Sequence, residues 1–161
     1  MELDKNIYET DENNRMDSLD KKIIALLQED GTATNAGIAK SSGVSEETVR
    51  RRLKRLITDK CIKVVAVPDP AKLGFESEVL IGIRVESNKV DYVAEELAGM
   101  GEVNWVSMTT GSFDIFAWAT LRTASELSSF LRTRIGSVSG VLGTESFVSL
   151  GTKKRDYSVA I

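Results

Sequence analysis

Apolar residues recur at helical spacing in three short blocks between Ser18 and Ile57, and alternate in strand-like runs from Glu78 onward. Leu19, Ile23, Leu26 and Leu27 share one face, with Ile24 alongside, which predicts a first helix capped by Ser18 and stopped by Gly31. Asp20 falls in its first turn, where the helix dipole favours a carboxylate. A second helix is predicted from Thr34 or Asn35 to Ser42-Gly43, with Ile38 and Ala39 inward. Ser45 caps a third, whose first turn holds Glu46 and Glu47 and whose seam is Val49, Leu53, Leu56 and Ile57. Two helices joined by a short Gly-containing turn form a helix-turn-helix, with the first helix as a brace.

The rhythm then changes. Ile62 to Val67 is β-branched and predicts a strand, placed like a wing after the third helix, with Cys61 half-buried at its start. Pro68 and Pro70 are the only prolines, and Pro-Asp-Pro cannot continue a ladder, so residues 68–76 are predicted to be a linker or hinge. Beyond it the pattern predicts a strand (78–85), a helix (89–100), strands at 103–110 and 113–121, a helix (125–135) and a last strand (141–150). The order βαββαβ is the split, ferredoxin-like arrangement, with two helices on one face of a four-stranded antiparallel sheet. The expected architecture is therefore α+β: a polar leader at 1–15, expected to be disordered, a winged helix-turn-helix at 16–67, the linker, and a second domain at 77–161.

The strands are apolar on both faces. Val79, Ile81, Ile83 and Val85 alternate with Leu80 and Gly82; Phe113, Ile115 and Ala117 alternate with Phe116 and Trp118. Two helices cover one side only. The other would expose an apolar patch that a monomer rarely shows, which predicts a homodimer packed sheet to sheet.

Composition narrows the chemistry. The chain has no histidine and one cysteine, which removes an internal disulfide, imidazole-dependent hydrolase triads and most transition-metal sites. No carboxylate cluster has the spacing of a calcium or magnesium loop, so neither a metal nor a cofactor is expected. No apolar run is long enough to span a membrane and the start lacks a secretion signal, so the expected location is the cytoplasm. The net charge is −3, but residues 17–75 carry eleven Lys/Arg against eight Asp/Glu, while the flanking stretches are acidic. The positive field thus sits on the helical block, as a polyanion partner requires.

The third helix carries Arg50, Arg51, Arg52, Lys54 and Arg55. A charge run on a helix is usually a solvated face. Here it follows a Gly-containing turn and precedes a basic segment with Lys60 and Lys63, which favours a helix that reads double-stranded DNA. Ser45, Glu47, Thr48 and Arg51 are candidates for base edges. Glu47 suits a cytosine amino group and Arg51 a guanine. Arg50, Arg52, Lys54, Arg55 and Lys63 are assigned to phosphates or to the solvated face, with Arg52 also a candidate brace. A second motif is Thr109-Thr110-Gly111-Ser112-Phe113-Asp114. It reads as a hairpin turn, and Asp114 is an odd residue among Phe113, Ile115 and Phe116. Its carboxylate needs a partner, either backbone amides or a ligand ammonium.

Together these residues resemble the Lrp/AsnC family of feast/famine regulators. The resemblance runs through Leu19-Asp20-Lys21-Lys22-Ile23-Ile24, Gln28-Glu29-Asp30-Gly31, Ile38-Ala39, Gly43-Val44-Ser45 and Val49-Arg50-Arg51-Arg52-Leu53. It resumes at Asp69-Pro70-Ala71-Lys72-Leu73-Gly74, Thr110-Gly111-Ser112-Phe113-Asp114 and Ser139-Gly140-Val141. It implies a winged helix-turn-helix followed by a ligand-sensing domain (the RAM or ACT-like type), dimers that often assemble into octamers, and an amino acid or similar effector held in clefts between sensing domains. It also implies that Gly111 and Asp114 line that cleft, with Thr110 and Ser112 beside them. The chain departs from the family in having Lys60-Cys61 where a glycine usually follows the third helix. A branch of similar architecture resembles sirohaem decarboxylases, the alternative function. The basic third helix and the absence of histidine favour a regulator over an enzyme.

Overall fold

The computed structural model describes residues 16–155 and Val159, and the chain divides into two compact units. The first comprises the described residues up to Ala66 together with Val159; the second runs from Val67 to Arg155. The expected leader at 1–15 lies outside the described residues. Val159 belongs with the first unit rather than the second, its carbonyl accepting a hydrogen bond from the Gln28 amide.

In the first unit α1 spans Ser18–Glu29, α2 spans Asn35–Ser42 and α3 spans Glu46–Thr58. The N-cap of α1 is Asp17, not Ser18. Its carboxylate accepts from the Asp20 amide at 2.9 Å, and the Asp20 carboxylate accepts from the Asp17 amide at 3.3 Å. This reciprocal box satisfies two donors that a helix start leaves unpaired. The helix ends at Asp30 in extended conformation, one residue before the expected glycine stop. Thr34 caps α2, and Gly43 ends it in the left-handed region at φ 70, a conformation glycine takes without steric cost. Ser45 caps α3 as expected.

Ile23, Ile24, Ile38, Ala39, Val49 and Leu56 form the core of this unit, with Leu53 packed against it. Ile57 is not part of the seam and is 46% exposed. One residue turns about 100° round a helix axis, which carries Ile57 from Leu56 to the flank of Glu46 and Arg50.

The wing strand expected at 62–67 is not formed. The segment has no strand pairing, and Val64, Val65 and Val67 are exposed. β-branched residues favour a strand only where a neighbour accepts the ladder, and no described segment pairs with this one. Cys61 is accordingly exposed in a bend rather than half-buried at a strand start. The linker region carries one 3-10 turn, Ala71–Leu73, closed by Gly74.

The second unit has the expected order: β1 (Ser77–Val85), α4 (Val90–Ala98), β2 (Val103–Met108), β3 (Ile115–Leu121), α5 (Ala124–Ser129) and β4 (Val141–Val148). The strands form one antiparallel sheet in the order β2-β3-β1-β4. Beyond Ser129 the helix continues as a π-helical stretch, Phe130–Ile135. Val79, Ile81, Ile83, Ile115, Ala117 and Ala119 face the helices and are wholly buried with Val93, Leu97 and Ile135. Each large side chain removed from water in this way contributes about 1.5–3 kcal/mol.

The opposite face is open. Register places Trp105, Trp118, Leu80 and Phe147 in one row across all four strands. Trp105 and Phe147 are about half exposed. Beside that row the Phe113 ring lies over Gly82, where a Cβ would come within 2.7 Å of it. Arg84 and Glu145 flank the band on one side, and the Glu78–Arg155 ion pair (2.6 Å) on the other.

Candidate nucleic-acid interface and effector loop

The side chains of α3 sort by their angle round the axis. Val49 and Leu56 point into the core. On one flank the Arg50 guanidinium donates to Glu46 at 3.1 Å and to Glu47 at 3.0 Å. On the other, Arg52 Nη1 donates to Asp17 at 2.6 Å and to Asp20 at 3.2 and 3.3 Å, and Arg55 donates to Asp20 at 2.5 Å. Asp20 is fully buried. A buried carboxylate is tolerable only when paired and hydrogen-bonded, and here it takes two guanidiniums and one backbone amide.

Glu47, Arg51 and Lys54 lie opposite the core and are exposed. Arg51 and Lys54 have no ion pair among the described residues. The Ser45 hydroxyl accepts from the Thr48 amide and lies 2.9 Å from the Thr48 hydroxyl, so both are engaged in capping. Lys63 is exposed in the unpaired segment after α3. The predicted base-reading set is thereby divided: Arg51 stands clear, Glu47 is tied to Arg50, and Ser45 and Thr48 hold the helix start.

Two acidic side chains in this unit titrate low. The Asp20 amide, and after it the Arg52 guanidinium, hold the Asp17 carboxyl below the usual carboxylate range. The Thr32 hydroxyl and amide do the same for Asp30.

In the second unit Thr110, Gly111 and Ser112 are exposed on the loop from β2 to β3, with Gly111 at φ 125. The partner that Asp114 required is the Val85 amide, which donates to its carboxylate at 2.8 Å; the Asp114 amide donates to the Ile83 carbonyl. Thr109 closes the loop through the Phe113 and Asp114 carbonyls. The loop is thus locked to the end of β1 and presents its tip outward. Two grooves, of about 510 and 270 Å³, lie on the helix layer around Arg134, and residues 109–114 line neither.

Both units match known family models, an AsnC-type helix-turn-helix domain over residues 16–57 and an Lrp/AsnC ligand-binding domain over 78–159. The chain belongs to the Lrp/AsnC family. An HTH-type transcriptional regulator of Pyrococcus furiosus is 40% identical over 144 residues, covering 89% of this chain and 97% of that relative. E. coli AsnC superposes with a TM-score of 0.78 at 26% identity, covering 88% and 96% of the two chains. A Neisseria meningitidis regulator solved as an L-Met complex has the same fold, with a TM-score of 0.83 at 23% identity, covering 91% and 97%.

The family sets the broad function: a transcriptional regulator with a DNA-binding helix-turn-helix and a domain for a small-molecule effector. The relatives are named as regulators, which points away from an enzyme. Among the described residues no helix is long and apolar enough to cross a membrane. Where the Lrp/AsnC pattern usually has glycine, Lys60 adopts the left-handed region at φ 56. The role of Asp20 escaped the sequence reading. Its partners Arg52 and Arg55 lie more than thirty residues away, and no local spacing marks such a contact.

Proposed function

We propose that this Lrp/AsnC regulator reads specific duplex sequences through α3, and that its DNA binding or assembly responds to an amino acid or a close chemical relative. Arg51 is the base reader, with Glu47, Ser45 and Thr48 at the same end of the helix. Lys54 and Lys63 contact phosphates, and Arg50, Arg52 and Arg55 reach them only by giving up an internal partner. The observation that carries this reading is the outward face of α3. Arg51 and Lys54 stand there without an ion pair among the described residues, at helical spacing, on a unit built as a helix-turn-helix. The proposed location is the cytoplasm.

The effector site is proposed at Thr110, Gly111, Ser112 and Asp114, in a cleft completed by a second copy. Its support is an exposed, rigidly anchored loop and a ligand-binding domain of known family. The L-methionine held by a neighbour of the same fold makes an amino acid the first class to try. The copies join as a homodimer through the open sheet face, where an apolar row is rimmed by charge, as protein interfaces are. Dimers then assemble further, to octamers. Effector binding between dimers changes which paired readers reach two half-sites together, by way of the hinge at Pro68-Asp69-Pro70.

A thermal-shift screen of the full chain against the amino acids, followed by duplex binding with and without each hit, tests the reading. A stabilising amino acid that alters duplex affinity or complex mass is the expected result. No shift from any amino acid would overturn the effector class. A tetrapyrrole absorption band in the purified protein would favour the decarboxylase-like alternative.

A further inference from the structure

We infer that Asp20, with Asp17 beside it, sets how many cations α3 presents to DNA, holding Arg52 and Arg55 against α1 and leaving Arg51 and Lys54 as the reading pair. This rests on the reading of α3 as the DNA-binding helix. The helix carries five cations. Three of them are bound to four carboxylates: Arg50 to Glu46 and Glu47, Arg52 to Asp17 and Asp20, Arg55 to Asp20. The two groups are not equivalent. The Arg50 pairs are exposed on both sides, so a phosphate can displace them at little cost. The Asp20 carboxylate is wholly buried, and if both arginines left it would stay charged with only the Asp17 amide as a donor.

Asp20 therefore acts as a positioning residue. Its charge keeps two guanidiniums on the α1 flank, with side-chain exposures of 23% for Arg52 and 43% for Arg55 against 58% for Arg50. Arg51 and Lys54 lie one helical turn apart on the outward face and carry the remaining positive field. Affinity for any duplex grows with each phosphate neutralised, whereas base contacts alone discriminate between sequences. A buried acid that removes two arginines from the phosphate count lowers indiscriminate binding and leaves the base contact intact. Selectivity is then set in α1, by a residue that does not face the duplex.

The test measures binding of the full chain to a random-sequence duplex by fluorescence anisotropy, from roughly 50 to 300 mM potassium chloride. Asp20→Asn keeps an oxygen for the capping bond but removes the charge. Its plot of log affinity against log salt is expected to steepen by about 0.9 for each arginine released, one to two per reader. The ratio of specific to random binding should fall. The double variant Arg52→Gln/Arg55→Gln, checked for folding in the same way, is expected to keep the wild-type slope; should it unfold, Arg55→Gln alone, which leaves Arg52 on Asp20, is expected to keep that slope instead. Should Asp20→Asn fail to fold by circular dichroism, Asp17→Asn, at a half-exposed position, takes its place with a smaller steepening. A folded acid variant with the wild-type slope, or a double glutamine variant whose slope is shallower by about two, would overturn the inference. Wild-type protein that shows no salt-dependent duplex binding would instead sink the DNA reading on which it rests.

Discussion

Asp20 meets three hydrogen-bond donors and no solvent, and it joins the start of α1 to α3. Breaking a buried pair of this kind costs about 3–5 kcal/mol when the surviving charge is sealed in. Arg52 and Arg55 keep access to water, so Asp20→Ala should destabilise the first unit by about 3 kcal/mol, the low end of that range, in chemical denaturation. Asp17 makes the same junction sensitive to acid. Its pKa is lowered in the folded chain, so its contribution is complete above the ordinary carboxylate pKa, near pH 4, and fades as pH falls through the lower native value. Asp17→Asn should remove that part of the acid-induced loss, read as a flatter plot of stability against pH below about pH 4. Arg52 runs the other way, its pKa raised first by Asp17, so its share is present at all ordinary pH and is lost only in strong base. Lys60 holds a left-handed conformation that costs a side-chain-bearing residue about 1–2 kcal/mol. Lys60→Gly relieves it against a greater loss of chain entropy, for a net gain of up to about 1 kcal/mol in thermal or chemical unfolding.

At the level of elements, periodicity made most of the structure legible. The spacing of Ile23, Ile38, Val49 and Leu56 marked three helices, and the alternation of Val79, Ile81 and Ile83 marked a central strand. What it missed were contacts made across the sequence. Ser18 and Asp17 are equally good caps by type, and only the reciprocal bond with Asp20 distinguishes them. The β-branched run at 62–67 has the composition of a strand but no pairing partner among the described residues. The π-helical stretch before Gly136 was also invisible to residue type. Its Gly136 amide reaches back to the Leu131 carbonyl, and a Cβ on Gly136 would lie 2.9 Å from the Arg132 carbonyl. At the 109–114 loop the sequence flagged Asp114 as needing a partner and left two choices open; the Val85 amide fills one of them. Gly82 has a similar hidden constraint. Gly82→Ala drives a methyl into the Phe113 ring, which packs edge-on against Phe116 at 5.4 Å. Such overpacking costs about 1–3 kcal/mol, and the displaced Phe113 should carry the 109–114 loop with it. Faster hydrogen exchange at Thr109 and Asp114 amides is the expected signature.

For the whole molecule, the open sheet face and the outward face of α3 are two exposed surfaces among the described residues that suit partners. Trp105 is 52% exposed in the single chain, so Trp105→Lys should cost little folding stability. Placed on the edge strand of the proposed sheet-to-sheet interface, at the end of its apolar row, the charge should drop the sedimentation mass to that of one chain. Unchanged mass would show that the copies meet elsewhere. The most direct measurement is nuclease protection of genomic duplexes selected by the full-length protein, set beside the Arg51→Ala/Lys54→Ala variant. The account predicts two protected half-sites separated by one helical turn, about 34 Å, or a multiple of it, and loss of both in the variant despite normal folding and mass. A wild-type protein that protects no duplex in dilute salt, or a variant that protects the same sites equally well, would contradict it.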